Sequence, residues 1–139
     1  MIIYEHEAQY YETDQMGIIH HSNYLRWFES ARIQYLKEIG IDYGKCEEMG
    51  LISPVMEVNC TYKSMVRFGD TVQIYTKFQE YTGVKFYVTY EVRDKATGEL
   101  RTIGKSKHCF TDKDGKPIAL QKMYPEIHEQ FLRAVDRQE

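Results

Sequence analysis

The spacing of hydrophobic residues changes along the chain, and each change predicts a different element. From Ser22 onward, apolar residues recur every three or four positions, which predicts a helix over residues 22–39. Its apolar face carries Tyr24, Trp27, Phe28, Ala31, Tyr35 and Leu36. Because so many aromatic rings share this face, we expect a large apolar surface to cover the helix.

Residues that favour helix ends stand on both sides of this segment. Ser22 or Asn23 is suited to the N-cap, and Gly40 is suited to the C′ position after the last turn. Before the helix, a short polar loop follows a weak strand pattern over residues 3–11. After it, residues 42–49 are compatible with a short second helix.

Alternation of apolar and polar residues predicts strands in the second half of the chain. The predicted strands span residues 55–62, 72–79, 84–93 and 100–111. In the last of them, Gly104 and Ser106 are small and share one face, so we expect the sheet to approach the aromatic helix closely there. A terminal helix is predicted to begin at Pro125.

The order of these elements predicts the fold class. One strand, a long helix and a run of antiparallel strands indicate an α+β architecture, with a sheet of about five strands packed on one long helix. Residues 1–139 are predicted to form a single domain. The strand at 84–93 is long, regular and free of proline, so we expect it to pair with a second subunit rather than to remain an open edge.

Composition narrows the classes of protein. The net charge is -3 and there is no long basic run, which excludes nucleic acid as an expected partner. The first residues lack the layout of a signal peptide, and no apolar run is long enough to insert into a membrane. The three cysteines are far apart, which predicts free thiols in a reducing cytoplasm.

The polar loop before the long helix carries the candidate chemistry. It contains one carboxylate, Asp14, one glycine, Gly17, and the adjacent histidines His20 and His21. A metal site would need further ligands, such as a second histidine four residues along a helix, and the sequence offers no third obvious one. We therefore expect neither a metal nor a redox cofactor.

A motif with fixed spacing runs from this loop into the helix. The pattern Tyr-x-x-Asp-x-x-Gly-x-x-x-His-x-x-Tyr-x-x-x-Phe-Glu-x-Ala-Arg resembles acyl-CoA thioesterases of the 4-hydroxybenzoyl-CoA thioesterase type, and is most similar to their Tol-Pal-associated branch. Its members here are Tyr11, Asp14, Gly17, His21, Tyr24, Phe28, Glu29, Ala31 and Arg32. Downstream, Pro54-Val55, Tyr62 and Asp70 agree with the same pattern.

The resemblance implies a hotdog fold, in which the sheet wraps around the long central helix. It also implies homodimers that associate into homotetramers, with active sites between paired subunits. The aspartate aligned with Asp14 is the catalytic carboxylate of this family, acting as nucleophile or as base for water. The position of His21 contributes its backbone N–H to the thioester carbonyl, and its side chain is also implicated.

The chemistry of thioester hydrolysis supports these roles independently. Negative charge develops on the carbonyl oxygen, and unpaired N–H groups at a helix N-terminus stabilise such charge. A carboxylate in the preceding loop can attack the carbonyl carbon or orient water. Gly17 allows the loop to turn tightly beside the substrate.

Other residues are also candidates for the site, although their residue types fit purely structural roles as well. Tyr24 belongs to the core face of the helix and is also a candidate substrate contact. Glu29 either forms a surface ion pair with Arg32 or supports the site from behind. The phosphates of coenzyme A need cations, for which the candidates are Lys63, Arg67, Lys85 and Lys105.

The predicted function is hydrolysis of a small-molecule acyl-CoA to free acid and coenzyme A. Two alternatives stay open. One is hydrolysis of acyl-carrier-protein thioesters, and the other is a non-hydrolytic module that binds acyl thioesters on the same fold.

Overall fold

Five antiparallel strands form one sheet in the order β1-β3-β4-β5-β2. The computed structural model describes residues 2–136. The strands are β1 (Ile2–Glu7), β2 (Val55–Tyr62), β3 (Thr71–Tyr81), β4 (Lys85–Asp94) and β5 (Leu100–Cys109). The helices are α1 (Ser22–Glu38), α2 (Tyr43–Glu48), α3 (Leu120–Met123) and α4 (Pro125–Asp136). The predicted α+β class and five-stranded antiparallel sheet are confirmed.

Strand β4 lies in the middle of the sheet. It pairs with β3 on one side and with β5 on the other, so both of its edges are occupied within the chain. Strand β4 is therefore not an open edge that could pair directly with a second subunit, whereas its part in a dimer sheet stays a prediction. Its alternation is regular because every second side chain is buried in the core, and the free edges belong to β1 and β2.

Helix α1 packs its aromatic face on the inner face of the sheet. The ring of Phe28 stacks on Tyr90 with centroids 4.3 Å apart, and the ring of Tyr35 stacks on Phe78 at 4.2 Å. A Cβ atom on Gly104 would collide with the Phe28 ring, lying 2.6 Å from its Cζ. The prediction that a small residue here permits close packing is confirmed.

The segment before α1 differs from its prediction. Strand β1 ends at Glu7, and residues 10–12 form a 3₁₀ turn instead of continuing the strand. This turn carries Glu12 into the protein interior, where only 5% of its surface is exposed. A strand would have left the carboxylate without the partners described below.

The predicted C-terminal end of α1 is confirmed, whereas the predicted N-cap is not. His21 occupies the N-cap and its side chain makes no capping bond, whereas Ser22 is already helical. The Ser22 N–H donates instead to Nδ1 of His20, at 3.2 Å. Gly40 has φ +92°, as the C′ position requires, and the Asp42 carboxylate caps α2 by accepting from the Lys45 N–H.

A buried hydrogen-bonded chain crosses the core between α1 and β5. Arg32 donates to the Tyr90 hydroxyl at 3.1 Å, and that hydroxyl lies 2.7 Å from the Ser106 Oγ. Ser106 in turn lies 2.6 Å from Nε2 of His108, which is fully buried. Burial, with a smaller contribution from the charge of Arg32, lowers the pKa of His108 to about 3.

The close approach at Gly104 predicts a large effect of one added methyl group. Gly104→Ala should lower the free energy of unfolding by about 1–3 kcal/mol, because the Phe28 ring must move within a packed core. Urea unfolding measures the change. The control Gly44→Ala adds the same group in α2, where its only close neighbour within residues 2–136 is the Asp42 side chain at 3.3 Å, and the expected change is within about 1 kcal/mol of the parent. Equal midpoints for Gly104→Ala and the parent chain would contradict the packing described.

The buried His108 predicts a loss of stability in mild acid. Its folded pKa lies below the unfolded value of 6.5, so the unfolded chain binds more protons between about 3 and 6.5. Stability should therefore fall as pH decreases through about 6.5, by up to about 1.4 kcal/mol per pH unit. Urea midpoints between about pH 7 and about pH 5 test this. His108→Gln cannot titrate and should flatten the profile; an unchanged slope in that variant would contradict the assignment.

Candidate active site

The loop between the 3₁₀ turn and α1 is shaped by backbone hydrogen bonds. The Asp14 N–H donates to the Ile18 carbonyl at 2.9 Å, and the Gly17 N–H donates to the Asp14 carbonyl at 3.1 Å. Gly17 has φ +77°, so its predicted turn role is confirmed. One carboxylate oxygen of Asp14 accepts the Met16 N–H at 2.8 Å. The other oxygen has no partner within residues 2–136.

The start of α1 presents one free backbone donor. The N–H groups of Ser22, Asn23 and Tyr24 all have acceptors nearby. In the part of the chain that the structure describes, the His21 N–H has none. The His21 carbonyl accepts the Tyr62 hydroxyl at 3.2 Å, which helps to fix the orientation of this residue.

Asp14 and His21 line the same cleft, which has a volume of about 330 Å³. The rest of its wall is mostly apolar. Its other lining residues are Met16, Ile18, Ile19, Tyr24, Tyr62, Lys63, Ser64 and Met65. The structure thus brings Asp14, with one carboxylate oxygen unpaired, and His21, with its N–H unpaired within residues 2–136, to the wall of one mostly apolar cleft.

Two tyrosines of this wall are in contact, Tyr24 being buried and Tyr62 being 47% exposed. Tyr24 is only 3% exposed, and its ring meets that of Tyr62 edge to face with centroids 5.1 Å apart. Tyr24 therefore belongs to the core, as predicted, and also borders the cleft, while its contact with a substrate stays a prediction. Burial raises the pKa of both hydroxyls, so each stays protonated near neutral pH.

Glu29 and Arg32 do not form the predicted surface ion pair. The Arg32 side chain turns inward to Tyr90, as described for the buried chain. Glu29 is exposed on α1 and does not line the cleft. No contact within residues 2–136 ties Glu29 to Asp14 or His21, and its supporting role stays a prediction.

The candidate phosphate-binding cations occupy different places. Lys63 lines the cleft, and Arg67 is exposed beside it, where its backbone bridges to Ile18. Lys85 pairs with position 109 of β5, whereas Tyr62 pairs with position 102, so seven residues separate them. That spacing corresponds to about 23 Å along a strand, so a single chain does not bring Lys85 to the cleft.

Residues 2–136 contain neither a cluster of metal ligands nor a helix able to cross a membrane. Within residues 2–136, no group of three or more His, Cys, Asp or Glu side chains is arranged to hold a metal ion. None of the helices in that range has the length and apolar character needed to cross a membrane. Cys46, Cys60 and Cys109 are all free thiols.

Glu12 is absent from the residues predicted from the sequence, and Tyr62 was predicted only as part of the family pattern. Glu12 is buried beside the loop, and its carboxylate accepts the Trp27 indole N–H at 2.8 Å. A buried indole N–H needs a hydrogen-bond acceptor, so Trp27 on the aromatic face of α1 indicated that a polar partner was required. Nothing in the sequence showed which residue would supply it.

Comparison with known proteins identifies the family. Residues 9–134 match the model of the Thioesterase-like superfamily. A Bacillus subtilis (strain 168) protein named "Putative acyl-CoA thioesterase YneP" is 38% identical over 131 residues, covering 94% of each chain.

Solved structures support the same family assignment. The DHNA-CoA thioesterase from Staphylococcus aureus superposes with a TM-score of 0.92 at 36% identity, covering 98% of this chain and 93% of that one. A hypothetical protein from Aquifex aeolicus gives a TM-score of 0.86 at 31% identity, covering 94% and 99%. The chain therefore belongs to the Thioesterase-like superfamily and is a thioester hydrolase.

Proposed function

We propose that the chain hydrolyses an acyl-CoA thioester to a free acid and coenzyme A in the cleft beside α1. The observation that carries the proposal is that Asp14 and His21, whose N–H has no acceptor within residues 2–136, line the same mostly apolar cleft. The names of similar proteins, which act on coenzyme A thioesters, support the choice of substrate.

In the proposed reaction, the thioester carbonyl oxygen lies against the His21 N–H at the positive end of α1. Negative charge that develops on this oxygen is then stabilised by a donor that is already oriented. The imidazole side chain of His21 is exposed, and we propose that it also assists the hydrolysis.

Asp14 acts on the carbonyl carbon in one of two ways. As a nucleophile, its free oxygen forms an acyl anhydride while the carbon–sulfur bond breaks, and water then hydrolyses the anhydride. As a base, it takes a proton from the attacking water, and the thiolate leaving group receives a proton as the acid forms. Both routes use the oxygen that Met16 leaves unpaired.

The finer family assignment is part of the proposal. We assign the chain to the 4-hydroxybenzoyl-CoA thioesterase type, in the Tol-Pal-associated branch, on the motif from Tyr11 to Arg32. The hotdog arrangement, with the sheet wrapped around α1, is supported by the contacts of Phe28 and Tyr35 with β4 and β3.

The proposed assembly is a homodimer that associates into a homotetramer, in the cytoplasm. Strand β2 is a free sheet edge in the chain, and Val55 and Val58 on it are 52% and 42% exposed. An apolar open edge of this kind is suited to pairing with another subunit. Three free thiols are typical of a reducing compartment.

Asp14→Asn should remove activity and leave the fold intact. The amide oxygen can still accept the Met16 N–H, so the turn survives, but the negative charge is lost. We expect kcat for the best acyl-CoA to fall by at least about a hundredfold, with substrate still bound. Thiol release on a panel of acyl-CoA substrates measures this. His21→Ala should lose less, because the backbone N–H remains.

Asp112→Asn is the matched control for this change. Asp112 also shapes a turn through its carboxylate, which accepts the N–H groups of Asp114 and Lys116 at 2.9 Å each. It does not line the cleft. Its substitution should leave kcat unchanged. An Asp14→Asn variant that hydrolyses within a few-fold of the parent rate would show that the proposed mechanism is wrong.

Lys63 is the cation best placed to meet a phosphate of the bound substrate. Lys63→Ala should raise KM about three- to tenfold and leave kcat within about twofold, because a charge-assisted contact outside the reacting centre is lost. The parent KM should rise with ionic strength, and the variant's should rise less. Lys122→Ala, in α3 away from the cleft, is the control. If KM in Lys63→Ala and Arg67→Ala equals that of the parent, the phosphates bind elsewhere.

A further inference from the structure

We propose that Glu12 is a positioning residue for the hydrolysis: it fixes the distance between the Asp14 loop and the N-terminus of α1 without touching the substrate. This inference rests on the proposed function and adds a residue that neither the motif nor the comparisons assign. It is carried by the hydrogen bonds that Glu12 makes on both its side chain and its backbone.

The Glu12 carboxylate joins three elements. Its Oε1 accepts from Nε2 of His6, in β1, and from the Gln9 N–H, both at 2.8 Å. Its Oε2 accepts from the indole N–H of Trp27, in α1, at 2.8 Å. The side chain is therefore held from the strand, the 3₁₀ turn and the helix at once.

The Glu12 backbone holds the segment that contains His21. The Glu12 carbonyl accepts the His20 N–H at 2.8 Å and the Asn23 side-chain amide at 2.9 Å. These two donors stand on either side of His21. A movement of Glu12 would thus carry the start of α1 with it, including the free His21 N–H.

The same residue begins the loop that carries the reacting carboxylate. Asp14 lies two positions after Glu12, and the intervening Thr13 forms a bridge with Ile19. Glu12 is accordingly the point where the loop and the helix start are connected. Displacement of reacting groups by about 1 Å can cost about a hundredfold in rate, so this connection is where a small shift would affect hydrolysis most.

The hydrogen bonds around the Glu12 side chain favour its charged form. Burial alone would raise the pKa of Glu12, but the hydrogen bonds from His6, Gln9 and Trp27 outweigh it and hold the pKa below its ordinary value. The carboxylate is ionised near neutral pH and accepts from all its donors. An amide at this place has one acceptor atom and one donor group, so one of the present donors would face another donor.

The test compares two buried carboxylates. Glu12→Gln should lower kcat at least about tenfold with KM within about threefold, in protein that is folded by circular dichroism. Asp94→Asn is the control: Asp94 is also buried, accepting from Arg101 and from the Ala96 and Thr97 N–H groups in a turn that does not border the cleft. Arg101 also donates to Ser64 and Met65 in the cleft wall, so this variant should lose stability and lower kcat by less than about threefold.

Two further variants separate positioning from support of the fold. Trp27→Phe removes the donor to Oε2 together with part of a buried ring that packs on Tyr24, so its activity is compared in protein that is folded by circular dichroism. It should lower kcat at least about threefold even if Glu12→Gln does not fold. Adding Glu12→Gln to Asp14→Asn should cause a smaller loss than Glu12→Gln causes alone, because the part of its effect that acts through Asp14 is already gone.

The outcomes distinguish this inference from the proposed function. Asp14→Asn with parental kcat, or a parent chain that releases no thiol, would overturn the proposed function and this inference together. Loss of activity in Asp14→Asn with parental kcat in folded Glu12→Gln would overturn only the role of Glu12. Parental kcat in Trp27→Phe would do the same if Glu12→Gln does not fold.

Discussion

The packing of the aromatic face of α1 on the inner face of the sheet is the contact on which the rest of the structure depends. Phe28 and Tyr35 stack on rings from β4 and β3, and Gly104 leaves room for the first of them. These contacts bury much of the apolar surface that stabilises a domain of this size. They also fix where α1 begins, and the cleft is built around that point.

Polar groups on the aromatic face impose the next constraint. A helix that buries Trp27 and Arg32 needs acceptors inside the protein, and it finds them in Glu12 and in the Tyr90 hydroxyl. The first of these acceptors belongs to the segment that leads into the Asp14 loop. Satisfying a buried donor and placing a carboxylate beside a helix N-terminus are therefore consequences of the same short stretch of chain.

Features that depend on neighbouring residues could be predicted from the sequence. The periods of α1 and of the central strands, the small residue at Gly104 and the turn at Gly17 all follow from local spacing and residue type. The motif also assigned Asp14 and His21 to one site, and both residues line the same cleft in the structure. Each of these predictions needed only residues that are close in the chain or a known pattern.

Features that depend on distant partners could not be predicted in this way. The neighbours of β4 are set by pairing along the whole sheet, so a strand that looks exposed in sequence lies at its centre. The inward turn of Arg32 toward Tyr90 joins residues 58 positions apart. The separation of Lys85 from the cleft likewise follows from strand register, which alternation of residues does not determine.

The loop that carries Asp14 has a shape set almost wholly by its backbone. Its hydrogen bonds run between main-chain atoms and through one oxygen of Asp14, and its tight turn needs only Gly17. The side chains of Met16 and Ile18, which face the cleft, are thereby free of any duty in holding the loop together. Exchange of these two residues during evolution can therefore reshape the cavity with little effect on folding, while the Asp14 carboxylate stays in place.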